Sequence, residues 1–183
     1  MRVIAGRAGG LRLMVPKTAV RPTMDRIKAA IFSSLGEMVI DARVLDLFAG
    51  SGGLGIEALS RGAKSVLFID EDRQSVAAIE ENLSKARFEG LVRQQDVFDF
   101  LKRAKATEKF RLIFADPPYE PTRSGQRFTE RLLANENLPQ LLEAGGLFVL
   151  EKRADESVLD TARWNTVRAK RYGATQVLML SAS

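Results

Sequence analysis

The chain has 183 residues, of which 45% are hydrophobic, and its 28 Lys and Arg side chains stand against 23 Asp and Glu side chains. It contains no Cys and no His, which excludes a disulfide framework, a thiolate nucleophile, a Ser-His-Asp triad and any metal site built on imidazole or thiolate ligands. Any catalysis must therefore use carboxylates, hydroxyls, amines, backbone groups or a bound cofactor, and we expect no metal.

The positive charge is concentrated at the start of the chain. Residues 1–28 hold seven basic side chains against the single acid Asp25, a net charge of +6, whereas the remaining 155 residues hold 21 basic and 22 acidic side chains. A basic arm of this kind usually contacts a polyanion, most often a nucleic acid. A solvated basic edge is the alternative interpretation.

The chain is predicted to form one domain over residues 1–183, with residues 1–22 as a basic arm and residues 23–183 as the core. Its length suits a single hydrophobic core, and it shows no repeat or low-complexity tract. The first residues lack an apolar signal-peptide region, and no stretch of about 18 apolar residues occurs. We therefore expect a cytoplasmic protein without a membrane span, and a monomer.

The predicted elements begin with the arm. Residues 2–15 alternate weakly between apolar and polar side chains and carry a Gly9-Gly10 turn, which predicts a β-hairpin or an extended arm. Pro16 and Pro22 bracket a loop. A helix is predicted to follow, with a C-cap at Gly36. Its apolar stripe consists of Met24, Ile27, Ile31 and Leu35.

Short apolar strands then alternate with amphipathic helices. The predicted strands cover residues 44–48, 65–69, 91–95, 112–115 and 146–151. The predicted helices cover residues 54–61, 73–87, 97–104 and 128–142, the last with a break at Pro139. Residues 164–170 and 176–180, joined around Gly173, are predicted to close the sheet as an antiparallel pair. The alternation predicts a doubly wound α/β domain, a mostly parallel sheet with helices on both faces.

A glycine-rich loop follows the first of these strands. It has glycines at positions 50, 52 and 55, a GxGxxG pattern between a strand and a helix. Glycines permit a tight turn and a close approach of the backbone to a ligand. Asp70 follows Gly50 by 20 residues, at the end of the next strand, where an acid binds ribose hydroxyls. The pattern predicts a nucleoside-containing cofactor, against the alternative of a purely structural turn.

The carboxylates near this loop favour S-adenosylmethionine over NAD. Asp46 would repel a pyrophosphate, whereas it suits the ammonium of S-adenosylmethionine, directly or through water. Asp96, with the Val97 backbone, is placed to bind the adenine amino group. Asp46, Asp70 and Asp96 end three successive strands at the carboxyl edge of the sheet, where ligands bind, although each could instead cap a helix. The candidate loop contacts are Phe48, Ala49, Gly50, Ser51 and Gly52.

The fourth strand runs into Asp116-Pro117-Pro118-Tyr119. The two prolines stiffen the loop and remove two N–H donors. The Asp116 carboxylate and the Pro117 carbonyl can accept both hydrogens of a planar NH₂ group, and Tyr119 offers a stacking face. Accepting both hydrogens makes the nitrogen lone pair available for attack on a methyl carbon, and Asp116 can take the released proton. A proline-rich turn without a catalytic role is the alternative.

These motifs resemble the RsmD-type 16S ribosomal RNA guanine-N2 methyltransferases of the class I methyltransferase superfamily. The resemblance covers nearly the whole chain and rests on four stretches. They are Arg2-Val3-Ile4-Ala5-Gly6, Arg21-Pro22-Thr23 with Asp25-Arg26, residues 45–52, and Asp116-Pro117-Pro118-Tyr119. Met24 departs from the small hydroxyl residue expected there.

The resemblance implies a Rossmann-like, seven-stranded fold that binds S-adenosylmethionine and releases S-adenosylhomocysteine. It implies N2 methylation of one guanine, of the guanine-966 type, in the 16S rRNA of the small ribosomal subunit. It also implies that three residues before the first helix contact the methionine end of the cofactor. They are Arg21, Pro22 and Thr23.

An RNA substrate would require phosphate contacts as well as a base pocket. The target guanine must be splayed out before its N2 can reach the pocket, and the basic arm would supply phosphate contacts. Residues 120–128 could close over the substrate. The candidate RNA-binding residues are Arg2, Arg7, Arg12, Lys17, Arg26, Arg123 and Arg127.

Other functions remain open at this point. An adenine-N6 DNA methyltransferase or a protein glutamine methyltransferase would use a related proline loop, but usually needs an added recognition domain. An NAD oxidoreductase leaves the Asp-Pro-Pro-Tyr stretch unexplained, and a non-catalytic RNA-binding scaffold would not need it. The absence of Cys argues against C5-methylation of cytosine, which usually requires a Cys nucleophile.

Overall fold

Seven strands alternate with helices along the computed structural model, which describes residues 1–15, 24–119, 127–156 and 162–183. The strands are β1 (Arg43–Leu47), β2 (Ser65–Asp70), β3 (Leu91–Gln94), β4 (Phe110–Ala115), β5 (Leu142–Arg153), β6 (Trp164–Tyr172) and β7 (Thr175–Ala182). The helices are α1 (Met24–Leu35), α2 (Gly53–Ser60), α3 (Arg73–Ala86), α4 (Val97–Arg103) and α5 (Phe128–Ala134), with short 3₁₀ helices at Gly36–Val39 and Pro139–Leu141. No helix in these ranges is long and apolar enough to cross a membrane.

The strands form a single sheet in the order β3-β2-β1-β4-β5-β7-β6. β1 to β5 pair in parallel, and β7 runs antiparallel to both β5 and β6. This arrangement confirms the predicted α/β class and the antiparallel closing pair. The chain order reverses between β1 and β4, and open α/β sheets bind ligands beyond the carboxyl ends of the strands at such a point.

Helices cover both faces of the sheet. In β4, Leu112 and Phe114 belong to the hydrophobic cluster that includes side chains of α1, α2 and α3. Ile113 and Ala115 belong to a second cluster that includes side chains of α4 and α5. Successive side chains of a strand point to opposite faces, and all four of these are fully buried. A strand that is buried on both faces reads as a continuous apolar run, as residues 112–115 do.

The N-terminal arm folds back as a narrow hairpin and packs into the core. Arg2 and Arg12 form an isolated antiparallel bridge, and the Val3 N–H donates to the Leu11 carbonyl at 2.9 Å. Val3 and Leu13 are buried and join the cluster that includes α1 to α3. The predicted hairpin is therefore present, and its described part belongs to the core.

Two fully buried polar side chains hold the arm against the helices. The carboxylate of Glu57 on α2 accepts the N–H groups of Ile4 and Ala5 at 2.7 and 3.1 Å. Asn82 on α3 accepts the Met14 N–H at 2.7 Å and donates to the Met14 carbonyl at 2.8 Å. Since buried polar groups are stable only when hydrogen-bonded, these two residues require the arm to stay docked.

The predicted helix over residues 128–142 is wrong in its second half. α5 ends just before Asn135, which has an extended backbone with φ −69° and ψ 126°. The Asn135 Oδ1 accepts the N–H groups of Asn137 and Leu138, so local side-chain bonds compete with helix continuation. β5 consequently begins at Leu142, four residues before the predicted strand.

Candidate active site

A cavity of about 510 Å³ opens at the carboxyl ends of β1 to β5, a volume within the range of about 300 to 1,000 Å³ that is typical of small-molecule sites. Acidic side chains at or near the end of each of these strands line it. They are Asp46, Asp70, Asp96, Asp116 and Glu151, and Glu71 and Asp72 add two more carboxylates. The parallel topology thus collects at one site acids that are distant in sequence.

The glycine-rich loop connects β1 to α2 along one wall of the cavity. Gly50 and Gly52 have φ of 57° and 77°, which side-chain-bearing residues rarely adopt. The Gly50 N–H donates to the Asp70 Oδ2 at 2.7 Å. A Cβ on Gly55 would lie 2.2 Å from the Phe68 ring, so this glycine allows α2 to pack closely on β2. The cavity wall includes Phe48, Ala49, Gly50 and Ser51.

Gly52 does not line the cavity, unlike the other predicted loop contacts. A Cβ at this position would meet the side chains of Ile56, Ile79 and Phe68 at 3.1 to 3.4 Å, so Gly52 faces the core. The loop is held further by the Asn82 amide, which donates to the Ser51 carbonyl at 3.0 Å. Gly52 therefore shapes the loop that carries the contacts.

Asp46 is the most deeply buried carboxylate of the wall, with 2% of its surface exposed. Its Oδ2 accepts the Gly55 N–H, in the first turn of α2, at 2.8 Å. Burial raises the pKa of Asp46 to about 8, with the Asp70 and Asp116 carboxylates acting in the same direction and the Gly55 N–H in the opposite one. A positively charged ligand would favour the ionised form of this carboxyl, so the site suits a cation.

Asp70 and Asp96 line the cavity and also bind nearby backbone. The Asp70 Oδ1 accepts the Asp72 N–H at 2.9 Å. Burial raises the pKa of Asp70, and the N–H groups of Gly50 and Asp72 oppose that rise. Asp96 is the N-cap of α4, because its Oδ1 accepts the Asp99 N–H at 2.8 Å. Asp96 thus caps a helix through Oδ1 and also lines the cavity, whereas Asp46 and Asp70 position the glycine-rich loop and the start of α2.

The Asp-Pro-Pro-Tyr stretch directly follows the last residue of β4, and its first part forms a section of the cavity wall. Asp116, Pro117 and Pro118 line the cavity. Tyr119 is half-buried and is not part of the wall; its hydroxyl lies 2.9 Å from the Thr175 Oγ1 at the start of β7. Either hydroxyl can be the donor. The structure thus joins the first three of these residues to the glycine-rich loop, and it holds the tyrosine against the neighbouring antiparallel strand.

Comparison with known proteins places this site in a family. The family model described as "Conserved hypothetical protein 95" matches residues 1–181. The chain belongs to this family. The resemblance to the RsmD-type enzymes is thereby confirmed, because relatives over most of the chain carry that enzyme's name.

Relatives that match nearly end to end include two curated proteins and one solved structure. The Bacillus subtilis protein YlbH, whose name describes it as a candidate rRNA methyltransferase, is 37% identical to this chain. The match covers 97% of this chain and 96% of the YlbH chain. The Haemophilus influenzae "Ribosomal RNA small subunit methyltransferase D" is 33% identical over 94% of this chain and 89% of its own. The structure of the Escherichia coli protein yhhF, described as a candidate methyltransferase, matches with a TM-score of 0.83 and 31% identity over 100% of this chain and 98% of that one.

Several wall residues of this family member were not predicted from its sequence. Met1 and Lys28 line the cavity together with the acidic side chains, and the Met1 sulfur lies 3.6 Å from the Ser51 Oγ. The sequence does hint at Lys28, because this lysine lies between Ile27 and Ile31, two apolar positions on the buried face of a helix. The other unpredicted wall residues are Gly53, Leu54, Glu71, Asp72, Ser75 and Glu151. Among the described ranges, no group of three or more acidic side chains has an arrangement that could hold a metal ion.

The predicted RNA-binding arginines that the structure describes lie at the surface. Arg2 is 3.8 Å from Asp25, and the Arg7 guanidinium lies 4.9 Å from the centre of the Phe88 ring. Arg127 is 3.9 Å from a carboxylate oxygen of residue 156. Arg12 and Arg26 are also exposed. Five predicted site residues, Lys17, Arg21, Pro22, Thr23 and Arg123, lie outside the described residues.

Proposed function

We propose that this chain transfers the methyl group of S-adenosylmethionine to small-subunit ribosomal RNA, and that the acceptor is the N2 amino group of a guanine of the guanine-966 type. The observation that carries the proposal is a single cavity that holds the Asp116-Pro117-Pro118 turn together with the glycine-rich loop and the buried Asp46. Membership of a family whose named relatives include small-subunit rRNA methyltransferases supports the same reaction class.

The donor set of the cavity fits S-adenosylmethionine. The cofactor carries an ammonium and a sulfonium, and when bound it supplies an electrophilic methyl group. Asp46 suits the ammonium, Asp70 suits the ribose hydroxyls, and Asp96 suits the adenine amino group. The pyrophosphate of NAD would instead meet a wall with seven carboxylates among its described residues, and like charges at short range are unfavourable.

Asp116 and Pro117 bind the amino group that accepts the methyl group. The Asp116 carboxylate and the Pro117 carbonyl accept its two hydrogens, which withdraws the nitrogen lone pair from ring conjugation. Asp116 then holds the proton released on transfer. Tyr119 follows the wall residue Pro118 and would provide a stacking face beside the cavity, with its hydroxyl contact to Thr175 setting the orientation of that face.

The basic arm binds the RNA backbone near the base pocket. Met1 lines the cavity, so phosphate contacts at Arg2 would lie next to the extruded base. Arg7 and Arg12 extend the same charged surface along the hairpin. Because phosphate contacts set register and base contacts set specificity, the arm positions the substrate and the cavity selects it. A protein that acts on ribosomal RNA would work in the cytoplasm.

A labelled-methyl assay tests this function. The protein is incubated with labelled S-adenosylmethionine and, in separate reactions, with 16S rRNA, small subunits, DNA and protein, and the labelled nucleoside is identified by mass spectrometry. We expect label in rRNA or small subunits, as N2-methylguanine at one position. N6-methyladenine would overturn the guanine assignment, and label only in DNA or protein would overturn the RNA substrate.

A further inference from the structure

Lys28 is a buried cation in the wall of the cavity. Its side chain is 4% exposed, and its ammonium donates to the Arg2 carbonyl at 2.6 Å. It lies 3.9 Å from Asp25 and 3.8 Å from Glu57. Burial lowers the pKa of Lys28, and the two carboxylates oppose that effect. A buried charge persists only where fixed partners compensate its lost hydration, and the arm backbone and two acids provide part of that compensation here.

The cluster around Lys28 has one more positive than negative charge. Glu57 is shared with Arg61, whose Nε lies 2.7 Å from its Oε1, and Asp25 is shared with Arg2. Three cations therefore face two carboxylates. The two acids do not fully neutralise the cluster, and Lys28 is the member that lines the cavity, so Lys28 suits one negative group of a ligand.

The rest of the described cavity wall has the opposite charge. Its other ionisable side chains are seven carboxylates at or near the carboxyl ends of strands, and Lys28 is its one basic side chain among the described residues. S-adenosylmethionine has a matching distribution, with two cationic groups and a single carboxylate. A carboxylate would be repelled by the strand ends and attracted to the α1 side of the cavity.

We propose that Lys28 binds the carboxylate of the methionine part of S-adenosylmethionine and thereby sets the direction in which the cofactor lies in the cavity. This inference rests on the proposed function, since it concerns the same cofactor. Lys28 also donates to the Arg2 carbonyl, so the residue that holds the cofactor carboxylate holds the arm as well. Cofactor binding and docking of the arm therefore share one side chain.

Decarboxylated S-adenosylmethionine provides the test, because it keeps the sulfonium and the ammonium and lacks only the carboxylate. Dissociation constants for both compounds are measured by calorimetry with the wild-type protein, Lys28→Met and the control Lys85→Met. A charge-assisted hydrogen bond in a buried site corresponds to about 10- to 100-fold in affinity. We expect wild type and Lys85→Met to prefer the intact cofactor by about that factor, and Lys28→Met to bind both compounds alike. Lys85 is a suitable control because it is 46% exposed and pairs with Glu81.

The ratio of the dissociation constants for the intact and the decarboxylated cofactor distinguishes failure of the Lys28 proposal from failure of the proposed function. Equal binding of both compounds by the wild-type protein, or an unchanged preference in Lys28→Met, overturns the role of Lys28 while the cofactor assignment stands. Binding of neither compound by the wild-type protein overturns the cofactor and the role together. If Lys28→Met does not fold, the Nζ resonance of Lys28 in the wild-type protein decides. It should shift with the intact cofactor and stay in place with the decarboxylated one, and equal shifts overturn the proposal.

Discussion

Replacement of Glu57 by Gln is expected to destabilise the fold and to release the N-terminal arm. The Glu57 carboxylate is fully buried and accepts two arm N–H groups, from Ile4 and Ala5. It also binds the Arg61 Nε at 2.7 Å and lies 3.8 Å from the Lys28 ammonium. The amide of Gln has one acceptor oxygen and would turn a donor NH₂ toward groups that are themselves donors.

The magnitude follows from what the substitution leaves without a partner. Removal of one member of a buried ion pair costs about 3–5 kcal/mol, mainly because a buried charge loses its compensation. The lost hydrogen bonds belong to the same network, so their cost does not add independently. We expect a loss of about 3–5 kcal/mol, which corresponds to a fall in melting temperature of roughly 6–20 °C for a domain of this size.

Urea unfolding and amide hydrogen exchange measure this effect. The free energy of unfolding should fall by the stated amount, and the amides of Ile4 and Ala5 should lose protection at lower denaturant concentration than those of the sheet. Glu81→Gln is the matched control. It breaks an exposed pair with Lys85 and should cost no more than about 0.5 kcal/mol. A loss below about 1 kcal/mol in Glu57→Gln, with both arm amides still protected, would refute the anchoring role.

Four further predictions concern the site, its effect on stability and its substrate. Asp116→Ala should abolish methyl transfer and leave the dissociation constant for S-adenosylmethionine within about threefold; turnover near the wild-type rate would contradict the proton-acceptor role. Because the pKa of Asp46 is raised to about 8 and a cationic ligand favours its ionised form, cofactor affinity should rise with pH from about 6 to 8; Asp46→Asn should flatten this rise. The same raised pKa means that ionised Asp46 destabilises the fold, so wild-type stability should fall from pH 5 to pH 8 relative to Asp46→Asn; parallel stability profiles would contradict the raised pKa. Neutralisation of Arg2, Arg7 and Arg12 should weaken rRNA binding and make its dependence on log salt concentration shallower by about 0.7–0.9 per lost phosphate contact; an unchanged slope would exclude these arginines as phosphate contacts.

The sequence by itself determined most of the architecture. The βα alternation from residue 44 onward predicts the strand and helix order, because a strand buried on both faces leaves a continuous apolar run and an amphipathic helix leaves a 3.6-residue period. It also predicts that Asp46, Asp70 and Asp96 share one edge, since parallel strands align their carboxyl ends. The apolar pattern does not show where side-chain hydrogen bonds compete with helix continuation. At Asn135 such bonds end α5 earlier than the pattern suggests.

Only the tertiary structure decided how the arm and the cavity are joined. Met1 and Lys28 reach the cavity wall through the packing of the arm and α1 against α2, and no local pattern encodes a contact between elements so far apart in sequence. Tertiary packing likewise turns Gly52 toward the core and ties Tyr119 to Thr175 on β7. Periodicity records which face of an element is buried, whereas the partner that buries it depends on the summed packing of the whole chain. The missing Cys and His leave carboxylates, hydroxyls, amines, backbone groups or a cofactor for catalysis. The fold decides which carboxylates meet and brings one lysine into the same cavity wall.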